Sequence, residues 1–366
     1  MNGNEEAGKK GSQFSMTRLM GIIIVAVIVG MVAYQIGKKN LPQEDATRTL
    51  RIFGLGDPKP RALADGLTDT DGDLVADAPA DAGRFVDPQA ILFSFVASPE
   101  AEVSEKAWQP MVEHLAKATG KPVQYVRFES AKDQLKAIKE GRLHVTAINT
   151  GNVPEAVASC GFVPAVTPAK GEGRQGYTMK IIVPADSAIK DPAGLKGNEV
   201  AFTTAGSNSG CKAPMETLLR SFNLKPGYDY HIVYSQGHEQ SILGIKEGKY
   251  AAAAIASDLL EQAIAAGKIS ASDFKTIYTS EQFPALAIGY VYNLKPELAE
   301  KVRAALMDFN PQGTSAAGNL AEGVTGFAPV SYKDDFALVR RIDESFGHTP
   351  APEQADPTAA SQESNG

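Results

Sequence analysis

The sequence predicts an α/β fold in two lobes, each built on a parallel sheet. Apolar runs typical of buried strands alternate with amphipathic helical stretches, and this alternation occurs twice along the chain. The stretches between successive strands are long enough for parallel crossovers, which need a dozen or more residues. The chain has 366 residues, 43% of them hydrophobic, and can therefore bury full cores.

The N-terminal part predicts a membrane anchor. Residues 1–18 form a short tail with Lys9, Lys10 and Arg18, and residues 19–37 (LMGIIIVAVIVGMVAYQIG) contain no charged residue. A stretch of this length spans the hydrocarbon layer as a helix. The alternative is a cleaved signal peptide, which needs a shorter apolar core and a small-residue cleavage site. The basic tail is expected to stay inside, leaving the bulk of the protein outside the cytoplasmic membrane.

Residues 38–89 are rich in Asp, Ala, Pro and Gly, which predicts a tether between the membrane and the folded body. One stretch in it, DTDGDLVAD, resembles the short calcium-binding loops of thrombospondin type 3 repeats. The resemblance implies weak Ca²⁺ binding by carboxylate oxygens, with no other cofactor required. The implied ligands are Asp69, Asp71, Asp73 and Asp77. The EF-hand pattern fails at its twelfth position, Ala80, so a solvated acidic linker is the alternative.

Two series of strands and helices follow. The first lobe is expected over residues 90–178 and 279–346, the second over residues 179–278, and a disordered tail over residues 347–366. The first series comprises strands at 91–97, 122–128 and 143–148 with helices at 103–118 and 132–140. The second comprises strands at 180–183, 199–202, 230–234 and 251–255 with helices at 212–222 and 240–247.

Composition excludes several classes of function. The formal net charge is −7 and the basic residues are scattered, which argues against a nucleic-acid surface. Cys160 and Cys211 are the two cysteines and have no CxxC spacing, which argues against a zinc site and a disulfide framework. One bridge between them and two free thiols are both compatible with the sequence.

Polar residues gather where four predicted strands end. The ends are residues 149–152 (NTGN), 203–210 (TTAGSNSG), 235–238 (SQGH) and 257–258 (SD). Ligands of open α/β sheets bind beyond the carboxyl ends of strands, so these groups predict a polar binding site. A Ser-Asn-Ser-Gly cluster is also a good helix cap, and a cap alone is the alternative interpretation.

These motifs, in this order, resemble a known family. SNSG with a proline four residues on, SQGHEQSILGIKEGK, SDLLEQA and FPALAIGYVYNLKPELAEKV are similar to the phosphate, phosphonate and phosphite (PhnD-like) solute-binding proteins of ABC transporters. The resemblance covers about residues 91–346. It implies a type II periplasmic-binding-protein fold, in which two lobes close like a hinge on a phosphorus oxyanion. The implied partners are an ABC permease and its ATPase.

The resemblance also implies the residues of the site. In the second lobe these are Ser207, Asn208, Ser209, Gly210, His238 and Asp258. N–H groups at a helix start and nearby hydroxyls donate to an oxyanion, and Gly210 would let the backbone approach it. His238 would donate a ring N–H and, if protonated, add charge. Asp258 would accept a hydrogen from a protonated oxyanion or pair with an ammonium group.

The first lobe departs from the family pattern. Aromatic residues common in the family fall near residues 129–132 and 148–152, and this sequence has none in either range. Asn149 and Thr150 are expected to replace them as neutral hydrogen-bond donors.

Two other functions compete with ligand capture for transport. An enzyme using Ser207 or Ser209 with His238 would need a third group behind the histidine and lacks a GxSxG elbow, so no enzymatic activity is expected. A sensory module whose closure is read by a partner membrane protein is the remaining alternative.

Overall fold

The computed structural model describes residues 43–95 and 105–347. Contacts divide the chain into two units, residues 1–48 and residues 49–366, and the second unit carries both sheets. The predicted transmembrane segment, residues 19–37, lies outside the described residues, as does the tail from residue 348. Of the helices that are described, none is long and apolar enough to cross a membrane.

The elements alternate between strand and helix over most of the chain. The strands are β1 (Ile91–Phe95), β2 (Val123–Tyr125), β3 (Val145–Asn149), β4 (Phe162–Lys170), β5 (Gly173–Arg174), β6 (Gly176–Pro184), β7 (Glu199–Phe202), β8 (His231–Tyr234), β9 (Ala252–Ala256), β10 (Phe274–Pro284), β11 (Leu286–Val291) and β12 (Gly326–Pro329). The helices are α1 (Gln43–Ile52), α2 (Glu105–Thr119), α3 (Ala131–Lys139), α4 (Val153–Cys160), α5 (Ala213–Phe222), α6 (His238–Lys246), α7 (Ser257–Ala265), α8 (Pro296–Asp308), α9 (Tyr332–Asp335) and α10 (Ala337–Glu344).

The first lobe is built on a sheet with the strand order β12-β4-β11-β3-β1-β2, and β5 pairs with β4. Strand β1 runs parallel to β2 and β3, whereas β11 runs antiparallel to β3 and β4. The buried faces of sheet and helices meet in an apolar core, where the rings of Phe95 and Trp108 stack with centroids 3.6 Å apart. Burying such large rings supplies much of the driving force for this lobe.

The second lobe is built on a sheet with the strand order β10-β6-β9-β7-β8. Strand β7 runs parallel to β8 and β9, while β6 runs antiparallel to β9 and β10. The prediction of parallel pairing is therefore confirmed for β1, β2 and β3 in the first lobe and for β7, β8 and β9 in the second. It is wrong for β6, which runs antiparallel to β9. The chain reaches β6 directly from the first lobe, without a helical crossover within the second sheet.

Two connections join the lobes. The chain passes from β4 to β6 through the short strand β5, and it returns from β10 to β11 through Ala285. Strands β6 and β10 pair from Phe274 opposite Pro184 to Pro284 opposite Gly176. This two-stranded ribbon therefore brings both connections together at one side of the space between the sheets.

Residues 49–90 do not form the tether that their composition predicts. Leu55 is only 2% exposed and pairs with Phe346, and Val86 pairs with Leu294. The apolar residues of this segment are few and widely spaced, so they produce no local periodicity. They are buried by parts of the chain hundreds of residues away, and a local pattern cannot register such contacts.

Candidate ligand-binding site

A cavity of about 420 Å³ lies between the two lobes. Its walls include residues that follow β7 and β9 in the second lobe and the end of β3 in the first. Seven of the predicted binding residues line it, namely Asn149, Thr150, Ser207, Asn208, Ser209, His238 and Asp258. Gly210 is not among the lining residues. The strand ends chosen from the sequence therefore converge on one space.

The Ser-Asn-Ser-Gly turn begins a helix and also faces the cavity. Ser207 caps a π-helical turn, Asn208–Lys212, by accepting a hydrogen bond from the backbone N–H of Gly210 at 3.1 Å, and α5 follows directly. A hydroxyl that accepts in a cap still has its own hydrogen to donate. The cap and the oxyanion cradle are thus compatible interpretations of one turn, and π-helical turns occur often at functional sites.

Gly210 is a glycine for a reason other than ligand approach. A Cβ at this position would lie 2.0 Å from Oγ1 of Thr203 and 2.8 Å from Oγ of Ser207. The missing side chain therefore lets the turn close on itself. This packing role was not expected from the sequence, which predicted access for a ligand at Gly210.

Buried polar atoms beside the turn lack partners. Asn208 is 4% exposed; its Nδ2 donates to the hydroxyl of Tyr177 at 3.1 Å, and its Oδ1 has no hydrogen-bond partner among the described residues. The hydroxyl of Thr203 is similarly unpartnered within the part of the chain that the structure describes. An unsatisfied buried polar group is costly, and both residues lie in the cavity wall, so the turn carries polar atoms whose hydrogen bonding the protein leaves incomplete.

His238 is an uncharged donor at neutral pH. Its Nδ1 accepts a hydrogen bond from the backbone N–H of Ala256 at 3.2 Å, which puts the proton of the neutral ring on Nε2. Burial lowers the pKa of His238 to about 4. The imidazolium considered from the sequence is therefore not the form that faces the cavity in the ligand-free protein at pH 7.

Asp258 supplies an acceptor at the start of α7. Its Oδ1 is buried and has no hydrogen-bond partner among residues 43–95 and 105–347, while the backbone N–H groups of Asp258 and Leu259 interact with the carboxyl group and favour its charged form. Burial raises the pKa of Asp258 above its usual value. Glu239 is a second carboxylate in the wall, and of the described residues that line the cavity none is lysine or arginine. The site thus combines neutral donors with acidic acceptors.

The strand end of the first lobe uses one oxygen atom of each polar side chain internally, and within the described residues Nδ2 of Asn149 donates no hydrogen bond. Oδ1 of Asn149 accepts a hydrogen bond from the backbone N–H of Asn152 at 3.1 Å. The hydroxyl of Thr150 lies 2.9 Å from the carbonyl oxygen of Pro284 and 2.5 Å from that of Ala285, so it donates to the connection between the lobes. Thr150 lines the cavity, but its hydroxyl is already committed.

The sequence reasoning missed Tyr177, the aromatic residue of the cavity wall. Tyr177 lies on β6, packs 5.7 Å from the ring of Phe283, and holds Asn208 in place. Burial raises the pKa of its phenol to about 12, so the hydroxyl stays protonated. The sequence led us to expect Asn149 and Thr150 in the place of the family's strand-end aromatic residues, whereas the structure supplies an aromatic residue from inside β6. The tyrosine in the strand GYTMK was the available signal.

Two further predictions concern regions away from the cavity. One oxygen each of Asp69, Asp71 and Asp73 lie within 4.8 Å of one another, while Asp77 accepts a hydrogen bond from the N–H of Thr70 at 2.8 Å. Three of the four proposed calcium ligands are therefore close together.

Both cysteines, Cys160 and Cys211, are free thiols, and the hypothesis of a bridge between them is wrong for this structure.

Comparison with known proteins is consistent with this architecture. A family model for the periplasmic phosphonate substrate-binding protein of ABC transporters matches residues 93–336. A binding-protein component of an ABC phosphonate transporter from Pseudomonas aeruginosa is 18% identical, with 70% of this chain and 86% of that chain covered and a TM-score of 0.58.

Two other solved structures share the fold. PhnD1 from Prochlorococcus marinus, in complex with methylphosphonate, is 12% identical over 70% of this chain and 97% of its own, with a TM-score of 0.58. A Xanthomonas citri protein bound to ATP is 15% identical over 72% of this chain and 100% of its own, with a TM-score of 0.61. At these identities the likeness shows the fold alone.

Proposed function

Because the chain belongs to the family of periplasmic substrate-binding proteins of phosphonate ABC transporters, we propose that its cavity binds a phosphonate through Ser207, Ser209 and Asp258. The chain is an extracytoplasmic substrate-binding component and not an enzyme. Its ligand is a small molecule, and its partners are the permease and ATPase of the transporter.

The observation that carries the proposal is that hydroxyl donors and a carboxylate acceptor line the same cavity. Hydroxyls of Ser207 and Ser209 can donate to two oxygens of a phosphorus oxyanion, and the carboxylate of Asp258 can accept a hydrogen from a third oxygen if that oxygen is protonated. The absence of lysine and arginine from the described cavity wall means that hydrogen bonds, not a fixed cation, would carry the recognition. Such a site suits a singly protonated anion.

The size of the cavity favours a phosphonate over phosphate or phosphite. A volume of about 420 Å³ falls within the usual range for small-molecule sites and leaves space beside a tetrahedral head group. Leu320, Leu286 and Ala321 supply apolar wall on which an organic substituent can pack. Phosphate and phosphite carry no substituent and would leave this part of the cavity unfilled.

Hinge closure follows from the same proposal. Lobes that are joined at one side by the β6–β10 ribbon can rotate apart by changing backbone angles in the two connections. A ligand that contacts both lobes would favour the closed arrangement, which the permease would then recognise. We also propose that residues 19–37 anchor the chain to the membrane, supported by their length and apolar character.

Calorimetry of the full chain in detergent tests the proposed ligand. Methylphosphonate is expected to bind more tightly than phosphate or phosphite, and all three more tightly than sulfate, because sulfate at pH 7 has no proton to donate to Asp258. At about 100-fold excess over Kd, a ligand should add about 2.7 kcal/mol of stability in a thermal melt. No binding of any phosphorus oxyanion, or equal binding of sulfate, would contradict the proposal.

The acidic loop provides a second, smaller proposal. We propose that Asp69, Asp71 and Asp73 bind Ca²⁺ at millimolar concentration, as their mutual distance allows. Titration of the full chain with calcium, followed by calorimetry, is expected to show binding that Asp71→Asn weakens. Mg²⁺ serves as the control ion. Binding heat that Asp71→Asn leaves unchanged would mean that this loop is only an acidic turn.

A further inference from the structure

A lysine just beyond the Ser-Asn-Ser-Gly turn links the two lobes. Lys212 ends the π-helical turn of the second lobe, and its Nζ donates to the carbonyl oxygen of Gly151 at 2.8 Å. Gly151 belongs to the loop that follows β3 in the first lobe. Lys212 is therefore attached to the cradle on one side and to the opposing lobe on the other.

The same ammonium group binds a buried carboxylate. Nζ of Lys212 donates to Oδ1 of Asp343 at 2.9 Å, and Asp343, on α10, is only 2% exposed. Arg61 completes the group, since its Nε donates to Oδ2 of Asp343 at 2.8 Å. Burial alone would raise the pKa of Asp343, but Lys212 and Arg61 outweigh it and hold the pKa below its usual value. Asp343 is thus an ionised centre shared by two cations.

The two lobes are in backbone contact beside this group. A Cβ on Gly151 would lie 2.5 Å from the carbonyl oxygen of Gly206 and 2.8 Å from the backbone nitrogen of Asn208. Only a glycine fits where the loop of the first lobe meets the turn of the second. Separating the lobes must therefore break the hydrogen bond from Nζ of Lys212 to the carbonyl oxygen of Gly151. If that hydrogen bond were kept, the lysine side chain would have to leave Asp343.

Two of the three charged residues come from outside the part of the chain that matches the family. The match covers residues 93–336, whereas Arg61 lies before it and Asp343 after it. The segment that carries Arg61 is held to the body by further contacts, including the pairing of Leu55 with Phe346. The flanking segments thus reach the back of the cradle, next to the binding residues but not among them.

We propose that Lys212, Asp343 and Arg61 form a latch between the lobes, through which the segment at residues 49–90 sets how long the ligand stays bound. Lys212 is a positioning residue in this arrangement: it does not line the cavity but holds the turn with Ser207 and Ser209 against the first lobe. Arg61 acts one step further away by holding Asp343 in place. This inference rests on the proposed function, because it concerns a ligand bound in the cavity.

Dissociation of methylphosphonate from the full chain tests the latch. Lys212→Met is expected to speed dissociation about tenfold, and Arg61→Met about threefold, with the association rate nearly unchanged, because contacts made after encounter act mainly on dissociation. Exchange measured by phosphorus-31 NMR gives the dissociation rate. Lys196→Met is the matched control, since Lys196 pairs with the buried Asp229 at 3.0 Å in the same lobe and should leave the rate within about twofold of the parent.

Amide hydrogen exchange of the ligand-free full chain provides a readout that does not depend on the ligand. Lys212→Met and Arg61→Met should each speed exchange in residues 149–152 and 203–212 together, while Lys196→Met should not. If both variants only lower the melting temperature and leave dissociation and these amides unchanged, the group is merely structural and the proposal is wrong. If the parent binds no phosphorus oxyanion, the proposed function fails, and the amide exchange still decides whether the latch exists.

Discussion

The strand ends of the second lobe differ from that of the first lobe in how their polar groups are used. In the second lobe, Oδ1 of Asn208 and Oδ1 of Asp258 are buried without partners in the described chain. In the first lobe, Oδ1 of Asn149 caps its own loop, and the hydroxyl of Thr150 donates to the chain connection at Ala285. Polar residues of similar type thus follow strands in both lobes and have different tasks.

This difference shows how a candidate binding residue is recognised. Residue type and position at a strand end bring a side chain to the cavity, but both lobes satisfy that condition. What separates Asn208 and Asp258 from Thr150 is that each of the first two has an oxygen without a hydrogen-bond partner in the described chain, whereas the hydroxyl of Thr150 is bonded to the protein. The second lobe is therefore expected to carry most of the recognition, and the first lobe to shape and close the cavity.

The largest effect is expected from removing both serine hydroxyls of the cradle. Each of Ser207→Ala and Ser209→Ala should cost about 1.5–3 kcal/mol of binding free energy, roughly 10- to 150-fold in Kd, and the double variant more. Calorimetry with methylphosphonate measures this loss. Ser130→Ala is the matched control, because Ser130 caps α3 without facing the cavity. Alanine variants that melt earlier but bind normally would reduce the cradle to a cap.

A second test uses the buried histidine of the second lobe. The pKa of His238 is lowered to about 4 in the folded chain and returns to about 6.5 on unfolding. Between these two pH values the imidazole is protonated in the unfolded chain but not in the folded chain. Stability should therefore decrease between pH 6.5 and pH 4, by about 3 kcal/mol at the lower end. His238→Gln should remove that dependence in urea melts, whereas His231→Gln, at an exposed site, should not. Identical pH profiles for the parent and His238→Gln would contradict the neutral, buried ring.

Replacing Asp258 tests the acceptor that we propose makes the second lobe selective. Asp258→Asn keeps the size of the side chain but adds donor hydrogens, so preference for methylphosphonate over sulfate should fall about tenfold, corresponding to about 1.4 kcal/mol. Competition binding at pH 7 measures the ratio. Glu239→Gln is the control, since Glu239 lines the cavity and already pairs with Lys268 at 2.7 Å. An unchanged ratio in Asp258→Asn would remove this residue from the recognition of a protonated ligand.

The smallest effect on binding is expected in the first lobe. Thr150→Val removes the hydrogen bond to the connection and should lower stability by about 0.5–1.5 kcal/mol while changing the Kd for methylphosphonate less than about threefold. Chemical denaturation and calorimetry on the same samples separate these quantities. If Thr150→Val weakens binding as much as Ser209→Ala does, the contrast between the two lobes is wrong.

Local patterns in the sequence predicted seven of the twelve strands and four of the ten α-helices that the structure describes, and they missed β4, β5, β10, β11 and β12. The strand Glu199–Phe202 has the predicted bounds, and α3 is displaced from its prediction by a single residue. The helix predicted at 212–222 was extended by the π-helical turn at Asn208–Lys212, because a turn closed by Ser207 and Gly210 has no hydrophobic period. Periodicity detects a repeating buried face and is silent on irregular turns.

The sequence by itself determined the two-series α/β pattern, the family resemblance and the polar residues at the strand ends, because all of these are encoded within short stretches. Only the tertiary structure decided which of those polar groups remain unsatisfied, that Tyr177 supplies the aromatic wall, and that Gly210 serves packing. It alone also brought Arg61 to Asp343, 282 positions apart in the chain. Such contacts depend on how distant segments pack, and burial and hydrogen-bond satisfaction follow from that packing and not from any local pattern.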